Sequence, residues 1–176
     1  MSIKTSFNEE QLLIECLKRE RRAQKELYDK YKDAMFTIAL RITNNWDDAS
    51  DSLQDAFIQV FRDLGQFKSQ STLGAWIKTI VIRTAIKKKK MLFATESLDE
   101  VNTHDIIQWP DELNGEYLDI AIKELPEGYR MVFLLTEVEG YTHKEVAEML
   151  RISVGTSKSQ LFHAKKMLQD KLQHLI

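Results

Sequence analysis

The chain has 176 residues, 43% hydrophobic and 30% charged, enough for one compact domain or two small ones and too apolar for a fibrous or wholly disordered chain. Its 25 Lys and Arg against 27 Asp and Glu leave a formal net charge of -2, so a uniformly basic coat is excluded and nucleic-acid binding cannot be argued from overall charge. One cysteine, Cys16, excludes an intrachain disulfide framework and zinc sites made of four cysteines or of two cysteines and two histidines. Acidic groups run through the first apolar stretch and no run of 18 apolar residues occurs, so neither a signal peptide nor a membrane span is expected; the expected location is cytoplasmic.

The small net charge hides a division into three blocks. Residues 1–90 carry 17 basic and 12 acidic side chains, residues 91–116 carry 7 acidic and none basic, and residues 117–176 carry 8 of each. Within the last block, residues 151–176 hold 5 basic groups against 1 acidic. Two positive patches on either side of an acidic connector can hold a polyanion, because the field that matters is local, within a Debye length of roughly 8 Å.

Helical periodicity dominates, with 6 Gly and 2 Pro in the whole chain, and the fold class expected is all-α: two small helical domains, 1–90 and 117–176, joined by an acidic linker at 91–116. Asn8 with Gln11 is expected to open a short helix bearing Leu12, Leu13 and Leu17. A longer helix fits 21–43, with Ala23, Leu27, Tyr31, Ala34, Ile38 and Ile42 as its apolar stripe. Asn45 caps a helix over 46–64 whose stripe is Ala49, Leu53, Ala56, Val60 and Leu64, and Gly65 suits its C-terminus. After a polar turn containing Phe67, Ser71 caps a helix over 72–90 with Leu73, Trp76, Ile77, Ile80, Val81 and Thr84 inward. The segment 91–116 has a Trp109-Pro110 step, no sustained period and apolar members Phe93, Ile106, Ile107 and Trp109, and is expected to be a tethering linker. Four further helices follow at about 116–124, 127–138, 143–150 and 154–174.

The last two of these helices form a recognisable unit. Thr142 and Glu145 make a capping box, and Val146, Ala147 and Leu150 face inward. A turn of Arg151, Ile152 and Ser153 is too short for an antiparallel return, and Ser153 caps a helix whose inward residues are Val154, Ser157, Leu161, Ala164, Leu168 and Leu172. This is the sequence form of a helix-turn-helix. The opposite face of its second helix shows Thr156, Lys158, Ser159, Gln160, Phe162, His163 and Lys166, with Lys165 beside them and no acid before Asp170, as entry into a major groove between phosphate rows requires.

Two other stretches carry chemistry. Lys78, Arg83 and Lys87 to Lys90 gather on the helix that displays Trp76, Thr79 and Thr84, next to the turn with Phe67, which suits a wall for a nucleic-acid backbone whose bases leave the stack. For Trp76 a core position is the commoner fate. In "NNWDDASDSLQDAF", Asp48, Asp51 and Asp55 stand along one helix face with Gln54 beside them, as on a protein docking surface. The run Asp47-Asp48-Ala-Ser-Asp51 also has the spacing of the magnesium site of isoprenoid synthases, but that fold needs a second such site and a deep apolar cavity, and neither fits. No P-loop, HExxH or convergent histidine set occurs among His104, His143, His163 and His174, so no enzyme, metal or cofactor is expected, and Cys16 reads as a buried thiol.

The stretch "LYDKYKDAMFTIALRITNNWDDASDSLQDAFIQVFRDLGQF" with "STLGAWIKTIVIRTAI" resembles region 2 of the sigma-70 family, in its extracytoplasmic-function branch, and "IKELPEGYRMVFLLTEVEGYTHKEVAEMLRISVGTSKSQLFHAKKML" resembles region 4. The resemblance implies promoter-specific initiation by bacterial RNA polymerase. It implies that Asp48, Asp51, Gln54, Asp55 and Phe57 bind the clamp helices of the largest polymerase subunit. Phe67, Lys68, Ser69 and Gln70 fall in the loop that receives a flipped minus-10 base, and Trp76, Lys78, Thr79, Arg83 and Lys87 in the adjoining helix. Thr156 to Lys166 fall in the helix that reads the minus-35 element, with region 4 seated on the flap of the other large subunit; an anti-sigma factor is a further candidate partner. The acidic linker looks like the segment threaded through the RNA exit path. Four departures from the family pattern stand out: Arg83 and Lys87 where Asn and Asp are frequent, Arg151 where glycine is common in the turn, and Ser157 where valine is common. A one-component helix-turn-helix regulator is the alternative, and a structural adaptor a third reading.

Overall fold

The structure, a computed structural model, describes residues 3–89 and 115–173, and the described residues are helical with no strand. They fall into two compact units, Met1–Lys90 and Met91–Ile176. The expected linker lies, except for its last two residues, outside the described residues, as do His104, His174 and Lys90. No helix among the described residues is long and apolar enough to cross a membrane.

The first unit is built from α1 (Ile3–Leu17), α2 (Arg21–Thr43), α3 (Trp46–Asp63) and α4 (Leu73–Lys88). α1 begins five residues before the expected cap at Asn8, and the Gln11 amide reaches forward one turn to donate to Glu15 at 3.0 Å. It is pinned to α2 where Tyr31 Oη donates to Glu9 Oε1 at 2.7 Å and Lys30 Nζ donates to the same oxygen at 3.0 Å, and the Tyr31 bond is the main reason the Glu9 carboxyl is held below its usual range. α2, α3 and α4 pack on one another around Leu27, Ile42, Val60, Ile77, Val81 and Ile82, each fully buried. In α2 the buried stripe runs through Met35 and Ala39, not Ala34, which is exposed, or Ile38, which is half-buried. Both tracks have steps of three and four, and the apolar runs 34–36 and 38–40 offer each equally.

The Asn45 cap is present: its side-chain oxygen accepts from the Asp48 amide at 2.9 Å, with Asp47 and Asp48 in the first turn where the helix dipole favours acid. Gly65 is not a left-handed cap; α3 tightens into a 3-10 turn over Leu64–Gln66. Thr72, not Ser71, caps α4 by accepting from the Ala75 amide at 3.2 Å. α4 packs on both α2 and α3 and therefore buries Ile80, Val81 and Ile82 in succession along with Ala85, whereas Trp76 and Thr84 stay half-buried.

The second unit contains α5 (Gly115–Lys123), α6 (Glu127–Phe133), α7 (His143–Leu150) and α8 (Val154–Gln173). α6 continues into a π-helical turn, Leu134–Val138, so the expected helix over 127–138 changes its winding halfway, and Gly140, at φ 77, makes the exit from it. Ala121, Ile122, Leu125, Phe133 and Leu134 close on Ala164, Leu168 and Leu172 of α8. The inward face of α8 is Ser157, Gln160, Ala164, Leu168 and Leu172; Val154 is 41% exposed at the first helical position, and Leu161 is only half-buried.

The helix-turn-helix connection is fixed at three points. Thr142 Oγ1 accepts from the Glu145 amide at 3.3 Å while the Thr142 amide donates to Glu145 Oε2 at 2.8 Å, and that bond holds the Glu145 carboxyl below its usual range. Arg151 ends α7 in the left-handed region at φ 56, and its amide donates to the Ala147 carbonyl. Ser153 Oγ accepts from the Thr156 amide at 2.9 Å to start α8. A side chain with a Cβ costs roughly 1–2 kcal/mol in that left-handed conformation. Arg151→Gly should therefore raise the stability of this unit by roughly 0.5–1 kcal/mol after the entropic cost of glycine, checked by urea denaturation followed by circular dichroism.

Candidate nucleic-acid interface

The outer surface of α8 follows from what its inner surface buries. With Ser157, Gln160, Ala164, Leu168 and Leu172 facing the core, the helical period turns Ser159, Phe162 and Lys166 directly outward with Lys158 at one edge. Lys158 and Lys166 are exposed, and Ser159 and Phe162 are half-buried. Lys158 and Lys166, with the Ser159 hydroxyl that also donates back to the Thr156 carbonyl at 3.4 Å, surround one aromatic ring on the second helix of a helix-turn-helix.

The remaining residues expected on this face are committed within the unit. Gln160 is 8% exposed, lies against Gly128 of α6 and has its side-chain carbonyl buried without a partner; it cannot read a base edge, which corrects the expectation. Gln160 and Leu161 lie on either side of the inward direction of α8, and the closeness of Gly128 admits the Gln160 side chain. Lys165 is paired with Glu137 of the π turn at 2.9 Å. His163 is stacked on Tyr129 with ring centroids 5.7 Å apart, and meets Phe162 edge-on. Thr156 closes the N-terminal turn, its hydroxyl 2.9 Å from Ser153 Oγ.

In the first unit, Trp76, Thr79, Arg83 and Lys87 stand at spacings of three and four, forming one outward row along α4. Lys78 is not in that row: it lies about 200° round the helix from Trp76, on the side of Ile82 and Ala85, and is half-buried. Trp76 is half-buried against Phe67 with centroids 5.5 Å apart, so the ring closes one wall of the loop and is neither core nor a bare platform. Lys68, Ser69 and Gln70 are exposed, and Ser69 holds φ 54, a left-handed backbone that turns the loop sharply outward.

On α3, Asp51, Gln54 and Asp55 are exposed and Asp48 is half-buried. Phe57 is not on this face: it is 3% exposed and packs edge-on against Tyr28 at 4.8 Å, so its expected contact with a partner is corrected to a core role. Ile58, 66% exposed and at helical spacing from Asp51 and Asp55, occupies the face instead; sequence reasoning passed over it because exposure of a lone isoleucine leaves no pattern. Lys88, at the end of α4, pairs with Asp51 at 3.0 Å, and that bond is the main reason its ammonium is held above the usual lysine range. Lys89 donates to the Thr43 carbonyl at 3.0 Å. The lysines that gather at the end of α4 are thus partly engaged. Cys16 is buried, and burial pushes its thiol up to about 11. No cluster of three or more His, Cys, Asp or Glu able to hold a metal ion occurs among the described residues.

Comparison with known proteins gives two family matches: sigma-70 region 2 over residues 27–91 and sigma-70 region 4 over residues 116–168. The RNA polymerase sigma-H factor of Pseudomonas aeruginosa is 26% identical, with 96% of each chain covered. The ECF RNA polymerase sigma-E factor of Escherichia coli is 26% identical over 95% of this chain and 96% of its own. Among solved structures, CnrH in complex with the cytosolic domain of CnrY has a TM-score of 0.52 at 19% identity, covering 93% of this chain and 96% of that one. The sigma factor RpoE in complex with the anti-sigma factor NepR from Bartonella quintana gives 0.53 at 19%, covering 85% and 96%.

The buried, unpartnered Gln160 carbonyl costs about 1–3 kcal/mol. Gln160→Met keeps the length and removes the polar atoms, so it should raise the stability of the second unit by about 1 kcal/mol and leave promoter preference unchanged. Thermal melts and promoter-binding competition check the two halves of that statement.

Proposed function

The chain belongs to the sigma-70 family, as an RNA polymerase sigma factor of the extracytoplasmic-function type with regions 2 and 4, and on that premise we propose which surface performs each step of promoter recognition. The observation that carries the reading is the acid-free outward row of α8, Lys158, Ser159, Phe162 and Lys166, on the second helix of a helix-turn-helix. In this reading α8 enters the major groove of the minus-35 element, Lys158 and Ser159 near base edges and Lys166 near phosphate.

The outward row of α4 and the turned-out loop serve the minus-10 element. Arg83 and Lys87 attract the backbone along the row, while Phe67 and Trp76 offer an aromatic wall at the mouth of the loop formed by Lys68, Ser69 and Gln70. A base leaving the stack loses its neighbours, and an aromatic wall with exposed donors beside it replaces both stacking and hydrogen bonds. Helix α3 serves the polymerase: Asp51, Gln54 and Asp55 provide acid and amide, and Ile58 adds an apolar contact. The segment 91–116, with 7 acidic groups and no basic one, is the connector between the two readers. A one-component regulator has no use for an acidic face extended by an exposed Ile58. An anti-sigma partner and a cytoplasmic location are part of the proposal, since the structural neighbours RpoE and CnrH are solved with an anti-sigma factor and with the cytosolic domain of CnrY.

Core polymerase is needed because the basic rows are short and the connector repels DNA. The purified chain should bind duplex promoter weakly and without sequence preference, and form open complexes only with core, measured by footprinting at stated salt. Tight specific binding by the chain alone would overturn the proposal.

Two substitutions separate the surfaces. Gln54→Lys with Asp55→Lys should abolish copurification with core while leaving helicity intact, since both side chains are exposed. Lys166→Ala should weaken all promoters similarly and lower the slope of log affinity against log salt by about 1, read from holoenzyme titrations at several salt concentrations.

A further inference from the structure

The contact between α7 and α8 contains a polar pair that the reading above does not use. Ser157 is fully buried on the face of α8, and its hydroxyl lies 2.9 Å from Nδ1 of His143. A hydroxyl sealed among apolar side chains is costly unless it is hydrogen-bonded, so the imidazole is required where it stands. The Ser157 amide makes the ordinary helical bond to the Ser153 carbonyl at 3.0 Å, and the hydroxyl turns to the imidazole. His143 is the first residue of α7, directly after the Thr142 cap that fixes its backbone, so the ring is delivered from a rigid position.

We propose that His143 and Ser157 are a positioning pair for minus-35 recognition: their bond sets the rotation of α8 against α7, and with it the direction in which Lys158, Ser159 and Phe162 meet DNA. The inference rests on the reading of α8 as the minus-35 helix. An apolar contact at this crossing tolerates small rotations and slides at little cost, whereas a hydrogen bond between two side chains on capped helices is directional. A rotation of α8 moves every outward side chain together, so the pair acts on sequence discrimination through groups it does not touch.

The groups facing the ring give the pair a second signature. Lys158 and Lys165 face it from α8, and Glu137 from the π turn. Burial first, and then Lys158, hold the imidazole below its usual value of 6.5, with Glu137 opposing them, so the ring is neutral at neutral pH. Serine can donate or accept, so the bond survives protonation of the ring in either tautomer, with Nδ1–H donating to Oγ in the charged form. The added charge lies beside Lys158, within reach of the DNA phosphates, so acidification through the depressed value should tighten promoter binding.

The test uses the full chain with core polymerase and a promoter selected from a randomised minus-35 library. The readout is the ratio of affinities for matched and mismatched minus-35 elements in the parent chain, His143→Ala, Ser157→Ala and the double variant. Each single change should lower the ratio about fivefold, and the double should fall no further, a coupling of about fivefold. His143→Gln, which keeps an amide partner for Ser157, should restore the ratio to within about twofold and abolish the tightening that the parent shows as the pH falls below 6.5. Multiplicative losses in the double variant, or a pH profile unchanged in His143→Gln, would overturn the pair. A parent holoenzyme blind to the minus-35 sequence would instead overturn the reading of α8 itself. If the alanine variants fail to fold, nitrogen-15 shifts of the His143 ring in the parent chain decide: a single neutral tautomer at pH 7 supports the pair, and a mixed or protonated ring removes it.

Discussion

A helix that packs on two neighbours at once has a single strip left for anything else, and the working surfaces of this protein are such strips. α3 lies against α2 and α4, and α8 against α5, α6 and α7. Ala39, Ala49, Ala56, Ala85 and Ala164 are each wholly buried, as one-carbon side chains are when the backbone of another helix lies close by. Close approach leaves little freedom to rotate, so the strip facing away is decided by the strip facing in. Asp51, Gln54, Asp55 and Ile58 on α3, and Lys158, Ser159, Phe162 and Lys166 on α8, are presented at fixed angles because alanines hold the opposite sides.

That constraint explains what could be read from the amino-acid sequence and what could not. Helix positions came through well where a cap and a period agreed: Asn45 before α3, and the Thr142–Glu145 box before α7 with Ser153 after it, each set by local hydrogen bonds that a few residues specify. Rotation was harder. In α2 and α8 the apolar residues lie close enough together that two inward tracks satisfy the same period, and only the neighbouring helix chooses between them. Gly128, on a different helix, is what lets Gln160 turn inward, so no inspection of α8 alone reveals it. The inward turn of Phe57 has the same cause, since its partner Tyr28 comes from α2.

Charge showed a different kind of limit. The local excess of lysine and arginine was visible in the sequence, yet several of these groups are held by carboxylates far away along the chain, as Lys88 is by Asp51, Lys165 by Glu137 and Lys171 by Glu124. Such exposed pairs contribute little to stability, roughly 0–1 kcal/mol each, and are screened by salt. They do subtract from the field a polyanion meets. The four departures from the family pattern also divide on this basis. Arg83 and Lys87 add exposed charge, Arg151 accepts a strained backbone in the turn, and Ser157 exchanges an apolar plug for a bond to His143.

Cys16 has no part in any of these surfaces, and that gives it another use. It is the sole thiol in the chain, it is 3% exposed in α1, and burial pushes it up to about 11. Reagents that attack thiolates can reach it only in moments when α1 lifts from its neighbours. The rate of its labelling in the unmodified protein therefore counts those openings, one helix at a time, without an inserted probe and without disturbing either reader of the promoter.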